Sequence, residues 1–234
     1  MIIQNNVIKF KNIDEFQKFK ESKKLITKLG TGSEGDCFLS QKDNFVYKIL
    51  NNYYEELIGT IYYIDKIITT KDIDLKNFFL PEELYAIRNK LIAYKIKYVT
   101  PNLFDYNNCV KDFKQIYNID FEKLLRSYYS ILKDIEKLSD DKIKVYDLSW
   151  NLMFTGEQLI GIDTCGYSRV TEPIFDYNKF CLDEAIKDVF FDWIDLSGRF
   201  SDDTIDEINT EDNMETYVKK LSKLVKKERC KDNC

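Results

Sequence analysis

Histidine does not occur in the 234 residues, and its absence removes more chemistry than any other feature of the composition. Ser-His-Asp and Cys-His catalysis, histidine-ligated zinc and the imidazole pH switch are all excluded. Proton transfer must rely on carboxylate, Lys, Tyr or Cys. Glycine and proline are scarce, at 8 and 3 residues, so the chain has few breakers. The six cysteines (37, 109, 165, 181, 230 and 234) are scattered, with no C-x-x-C pair. That spacing excludes the dense disulfide framework of a secreted mini-domain and predicts reduced thiols. No apolar run approaches the ~18 residues of a membrane span, and the N-terminus reaches polar residues too soon for a secretory signal. The sequence therefore predicts a soluble, cytoplasmic protein.

Against these absences stand 44% hydrophobic and 15% aromatic residues, with 16 Tyr and 16 Phe. This is enough apolar surface for one large domain or two small lobes, and it excludes disorder over most of the chain. Thirty-five Lys and Arg against 40 Asp and Glu give a formal charge of -5. A dedicated nucleic-acid binder usually carries net positive charge, so no nucleic-acid partner is expected.

Three of the eight glycines fall within six residues, Gly30-Thr31-Gly32-Ser33-Glu34-Gly35. A short polar helix over 14–23 precedes them. Short apolar runs over 36–39 and 44–50, parted by Ser40-Gln41-Lys42-Asp43, complete a strand, glycine turn, strand, turn, strand pattern. Apolar spacing predicts a helix over 53–68 behind Glu55-Glu56, then a hairpin over 84–87 and 91–99. Pro101 marks a candidate boundary. Beyond it the spacing predicts a helix over 120–138 capped by Asp120, short strands at 143–146, 152–154 and 159–162, and helices over 182–196 and 214–227. The terminal helix reads as a packed element with a solvated basic face. The acid-rich stretch 202–212 reads as a solvated loop or facing strip.

Three features carry chemistry. Gly30-x-Gly32-x-x-Gly35 is followed by a strand, not a helix. It is either a loop offering backbone N–H groups to a triphosphate or an ordinary glycine hairpin. Lys48 stands alone in Phe45-Val46-Tyr47-Lys48-Ile49, thirteen residues after Gly35. A half-buried lysine is costly unless an anion meets it, and phosphate would serve, with Glu55 or Glu56 as orienting partner; the alternative is a lysine on the solvent face. Far downstream, Asp147, Asn151 and Asp163 recur between apolar runs. Asp147 is placed to accept a hydroxyl proton, and Asn151 and Asp163 offer oxygens suited to Mg²⁺; capping and turn roles are the plainer alternative.

Taken together, residues 25–166 resemble the protein-kinase-like superfamily. The glycine loop, the strand lysine Lys48, a helix glutamate, a hinge at Lys97-Tyr98-Val99, the segment from Asp147 to Asn151 and a metal aspartate, Asp163, follow in the family's order. The resemblance implies an α+β, bilobal fold: an N-lobe over 1–99 built on an antiparallel sheet, and a reduced helical C-lobe over 100–234. It implies ATP as ligand, its phosphates held by Gly30, Gly32, Ser33, Gly35 and Lys48, and its adenine on the backbone of Lys97 and Val99 with Ile96 behind. Asp147 would be the base, and Asn151 with Asp163 would hold Mg²⁺.

The departures from the pattern are specific. The family's His-Arg-Asp reads Val145-Tyr146-Asp147, the Asn follows Asp147 after four residues where five are usual, and Asp-Phe-Gly reads Asp163-Thr164-Cys165. Without the Arg, control by activation-loop phosphate is not expected. Only 71 residues follow Asp163, which implies a minimal kinase of the bacterial, phage or effector type, cytoplasmic or delivered into a host cell. The expected function is ATP- and Mg²⁺-dependent transfer to protein Ser or Thr. A small-molecule kinase and a catalytically dead interaction module are the alternatives.

Overall fold

The computed structural model describes residues 2–4, 6–51, 62–99, 104–105, 113–195 and 198–232. It is an α+β structure that divides into two compact units. The first comprises Met1–Asp74, Phe79–Val99 and Thr164–Ser168, and the second Leu75–Phe78, Thr100–Asp163 and Arg169–Cys234.

The first unit is built on β1 (Ile2–Gln4), β2 (Val7–Phe10), α1 (Ile13–Ser22), β3 (Thr27–Thr31), β4 (Gly35–Leu39), β5 (Phe45–Leu50), β6 (Glu83–Ile87) and β7 (Lys90–Lys97). The strands form one sheet in the order β1-β2-β6-β7-β5-β4-β3. The sheet is mixed, because β2 runs parallel to β6 while the other pairs are antiparallel. This corrects the expected antiparallel sheet, which left the first ten residues out. Val7 and Ile8 are partly buried and Phe10 fully so. Their place beside Leu84 and Tyr85 depends on a pairing of residues 77 positions apart, which local periodicity does not report.

Successive side chains of a strand point to opposite faces, and the sheet has two separate cores. On one face Phe10, Phe16, Tyr47, Tyr85 and Ala93 pack together, with Phe19 of α1 adding to the aromatic cluster. On the other, Val46, Leu84, Ala86, Tyr94 and Ile96 pack with Ile64, Ile67 and Cys165. Asn12 caps α1 by accepting from the Glu15 N–H.

Of the helix expected over 53–68, residues 53–61 lie outside the described residues. The remainder is not helical: Tyr63 bridges to Lys90, and the Leu91 N–H donates to the Tyr62 carbonyl at 2.9 Å. The isoleucines at 64, 67 and 68 are buried all the same, so their apolar spacing reported burial rather than helix.

The second unit contains β8 (Phe104–Asp105), α2 (Phe121–Asp140), β9 (Ile143–Lys144), a one-turn helix α3 (Leu148–Asn151), β10 (Leu152–Phe154), β11 (Leu159–Gly161), α4 (Phe175–Asp195), α5 (Asp202–Asn209) and α6 (Met214–Asp232). Asp120 caps α2, its carboxylate accepting from the Glu122 and Lys123 N–H groups. β10 and β11 form the expected hairpin and β8 pairs with β10. α4 begins seven residues earlier than the 182–196 expectation, and 202–209 is a helix, not a solvated loop. Ile205 and Ile208, buried at a spacing of three, turn that acidic strip into an amphipathic helix. Cys37, Cys165, Cys181 and Cys230 are not joined in disulfides. Among the described residues no helix is long and apolar enough to cross a membrane.

Candidate functional site

In the first unit, β3 and β4 run antiparallel on either side of the glycine turn, with a register shift between Lys28 and Gly30. The Gly32 N–H donates to the Gly35 carbonyl at 2.8 Å and closes the turn. The three glycines have different reasons to be there. A Cβ on Gly35 would lie 2.1 Å from the Ile49 carbonyl oxygen, so the contact of β4 with β5 requires glycine. A Cβ on Gly30 would meet nothing within 4 Å, and one on Gly32 only the Gly35 oxygen at 3.8 Å. Packing therefore does not require glycine at these two positions. Gly32 and Ser33 are exposed at the tip.

Lys48 lies in β5, opposite Cys37 on one side and Tyr94 on the other. It is only 5% exposed, which sets aside the reading of a lysine on the solvent face. Its Nζ is 2.8 Å from Oε2 of Glu34, and the Tyr62 hydroxyl donates to Oε1 of Glu34 at 2.6 Å. The same Nζ is 5.9 Å from the centroid of the Tyr94 ring. Glu34 is held through its backbone too, its carbonyl accepting from the Asn51 N–H at 2.9 Å. The partners expected for Lys48, Glu55 and Glu56, lie outside the described residues. Lys97 ends β7 with its side chain exposed and its Nζ 5.8 Å from the Phe79 ring; Val99 follows, partly buried.

In the second unit a single residue, Asn151, gathers the downstream residues. Nδ2 of Asn151 donates to the Asp147 carbonyl at 2.8 Å, and the Asn151 carbonyl accepts from the Ile162 N–H at 2.8 Å. Leu152 stands opposite Gly161 in the β10–β11 hairpin. Asp147, Asn151 and Asp163, sixteen residues from first to last, are thereby drawn into one loop-and-hairpin. Both aspartates have left-handed backbone, φ 50° at Asp147 and 55° at Asp163, a conformation that Asp tolerates better than most residues and that costs free energy unless the surroundings impose it. Asp147 precedes α3 but its side chain makes no capping bond, so the capping reading does not account for it.

Behind this loop stands Asn178 of α4, with no exposed surface. Its Oδ1 accepts from the Val145 N–H at 3.0 Å, and its Nδ2 donates to the Ile143 carbonyl at 2.8 Å and to Ser139 Oγ at 3.0 Å. The segment leading into Asp147 is thus hydrogen-bonded to the helix. The structure also packs Phe78 against β11: a Cβ on Gly161 would lie 2.4 Å from the Phe78 ring.

The donor set suits a hard cation. With Nδ2 of Asn151 donating to the Asp147 carbonyl, Oδ1 is the acceptor atom of that side chain, and Asp147 and Asp163 carry carboxylates in the same stretch of chain. Among the described residues no group of three or more acidic, Cys or His side chains is arranged for a metal.

Sequence reasoning missed Glu34, Tyr62 and Asn178. An acid inside a glycine turn was the one available signal; nothing local distinguishes Tyr62 or Asn178 from other tyrosines and asparagines. No known protein-family model matches the chain, and no curated protein is significantly similar to it.

Proposed function

We propose that the protein is an ATP- and Mg²⁺-dependent phosphotransferase of the bilobal protein-kinase-like kind, acting on a hydroxyl, with protein Ser or Thr as the acceptor class. The observation that carries this reading is Asn151, whose side-chain amide donates to the Asp147 carbonyl and whose backbone carbonyl accepts from the N–H of Ile162, the residue before Asp163. The buried Lys48 beside the glycine turn supports it from the first unit.

On this reading the backbone of Gly30, Gly32 and Ser33 and the ammonium of Lys48 bind the phosphates. The backbone of Lys97 and Val99 meets the base. Asp147 accepts the hydroxyl proton as the acceptor oxygen bonds to the γ-phosphorus and ADP departs with the electrons of the broken bond. Asn151 Oδ1 and Asp163 would hold Mg²⁺, which when bound would neutralise phosphate charge. Positioning and electrostatics do nearly all the work in such a transfer.

The test is transfer of label from ATP to protein acceptors in a lysate. Asp147→Asn is expected to lower the rate by about 10²–10⁴-fold, and Lys48→Met to abolish it, each with an unchanged circular dichroism spectrum. Wild-type rates in Asp147→Asn would remove that carboxylate as base. A second reading, an interaction module without activity, is favoured by one observation: Lys48 has a carboxylate partner within the chain, Glu34.

A further inference from the structure

Glu34 sits at the tip of the glycine turn, between the exposed Ser33 and the wedged Gly35. A surface glutamate there would be unremarked, but this one is turned inward. Its side chain is 19% exposed and that of Lys48 6%. One carboxylate oxygen accepts from the Lys48 ammonium at 2.8 Å and the other from the Tyr62 hydroxyl at 2.6 Å. A charge-assisted hydrogen bond in a site shielded from water is among the stronger polar contacts a protein makes. It is also a contact that an incoming polyphosphate needs for itself, and the carboxylate carries charge of the same sign as the phosphate it would face.

The turn has the means to release it. Gly35 cannot shift, because the Ile49 backbone lies against it, so β4 remains anchored. Gly30 and Gly32 meet nothing closer than 3.8 Å where a Cβ would be, and residues 31–33 are exposed. Rotation of the Glu34 side chain would carry its carboxylate off Lys48 while its carbonyl stays on the Asn51 N–H and the hairpin stays paired.

We propose that Glu34 is the affinity-setting residue of the nucleotide site: its carboxylate, steadied by Tyr62, occupies the Lys48 ammonium and is exchanged for phosphate when a nucleoside triphosphate binds. This inference rests on the nucleotide reading given above and adds a residue that acts against binding. Glu34 is a competitor for the ligand's cation, so removing its charge strengthens binding.

The experiment is calorimetric titration of the full chain with Mg²⁺ and a non-hydrolysable ATP analogue, alongside Glu34→Gln, Tyr62→Phe, Lys48→Met and the double variant Glu34→Gln/Lys48→Met. Gln keeps the shape of Glu34 and its ability to accept from Tyr62. Glu34→Gln is expected to bind about tenfold tighter or more, Tyr62→Phe about two- to fivefold tighter, and the double variant to lose the gain. Equal or weaker binding by Glu34→Gln, at an unchanged melting temperature, overturns the proposal. If wild type binds through Lys48 but neither variant binds more tightly, the nucleotide reading stands and the role of Glu34 falls. If no variant binds, both fall. Should Glu34→Gln fail to fold, Tyr62→Phe alone decides, and unaltered affinity there refutes the exchange.

Discussion

At the scale of the residue, Asp43 shows how an ordinary turn acid becomes a stability determinant. Burial presses its carboxyl upward, and hydrogen bonds from the Lys23 ammonium, the Tyr47 hydroxyl and Ser40 overcome that pressure, leaving a pKa of about 2 against an ordinary 3.8. The Lys23 and Tyr47 contacts measure 3.0 and 2.8 Å. They tie the C-terminus of α1 to the β4–β5 turn. A carboxyl with a depressed folded pKa stabilises above its unfolded value and loses that contribution as the pH falls through the folded one. The difference in unfolding free energy between wild type and Asp43→Asn, read by urea denaturation, is therefore expected to shrink by about 1 kcal/mol between pH 6 and pH 3. A difference that stays constant over that range would contradict the assignment. Sequence reasoning saw Asp43 only as part of a polar turn. Its partner Lys23 lies twenty residues away, and only folding closes that distance.

At the scale of the element, the β3–β4 hairpin separates two uses of glycine that the spacing alone merges. Gly35→Ala drives a methyl group into the Ile49 backbone, which lies 2.1 Å from the ideal Cβ position. It is expected to cost about 1–3 kcal/mol or to unpair the edge of the sheet. Gly30→Ala meets open space and is expected to leave the melting temperature within a degree or two. On the proposed function it weakens nucleotide binding, because the added methyl stands where phosphate would approach the backbone. Thermal unfolding of both variants checks the first contrast; a Gly35→Ala protein as stable as wild type would contradict the packing.

Helices show the same division between what is local and what is not. The near-3.6 spacing over 120–138 and the cap at Asp120 were legible because helix period and capping are short-range. The interior of α2 carries longer-range work. Asp134, 2% exposed, accepts from the Lys76 and Asn77 N–H groups at 2.9 and 2.5 Å, and Ser130 donates to Asn77 Oδ1 at 3.0 Å. Nothing in the helical pattern marks Asp134 as the acceptor for a segment 58 residues upstream.

At the scale of the whole molecule, the chain changes unit several times. Leu75–Phe78 counts with the second unit though unit-one residues flank it, and Thr164–Ser168 counts with the first. Within the first unit, Cys165, two residues after the aspartate expected to hold metal, packs with Val46, Tyr94 and Ile96. The proposed function makes a prediction for the entire chain. A nucleotide at 100 times its Kd adds about 2.7 kcal/mol of stability, which for a chain of this size raises the melting temperature by about 5–10 °C. Differential scanning fluorimetry with Mg-ATP measures it. No shift at millimolar nucleotide would favour the inactive interaction module.

The sequence by itself determined the α+β character, the hairpins around 30–50 and 84–97, and the helices over 120–138 and 214–227. Each of these rests on spacing within a few turns of chain, where period, capping and turn chemistry act. Tertiary structure alone decided the parallel pairing of β2 with β6, the helical state of 202–209, the bonds of Asn178 beneath the Asp147 loop, and the meeting of Glu34 and Tyr62 at Lys48. Those outcomes join residues separated by up to about 77 positions, and the contacts that select them exist only once the intervening chain has folded.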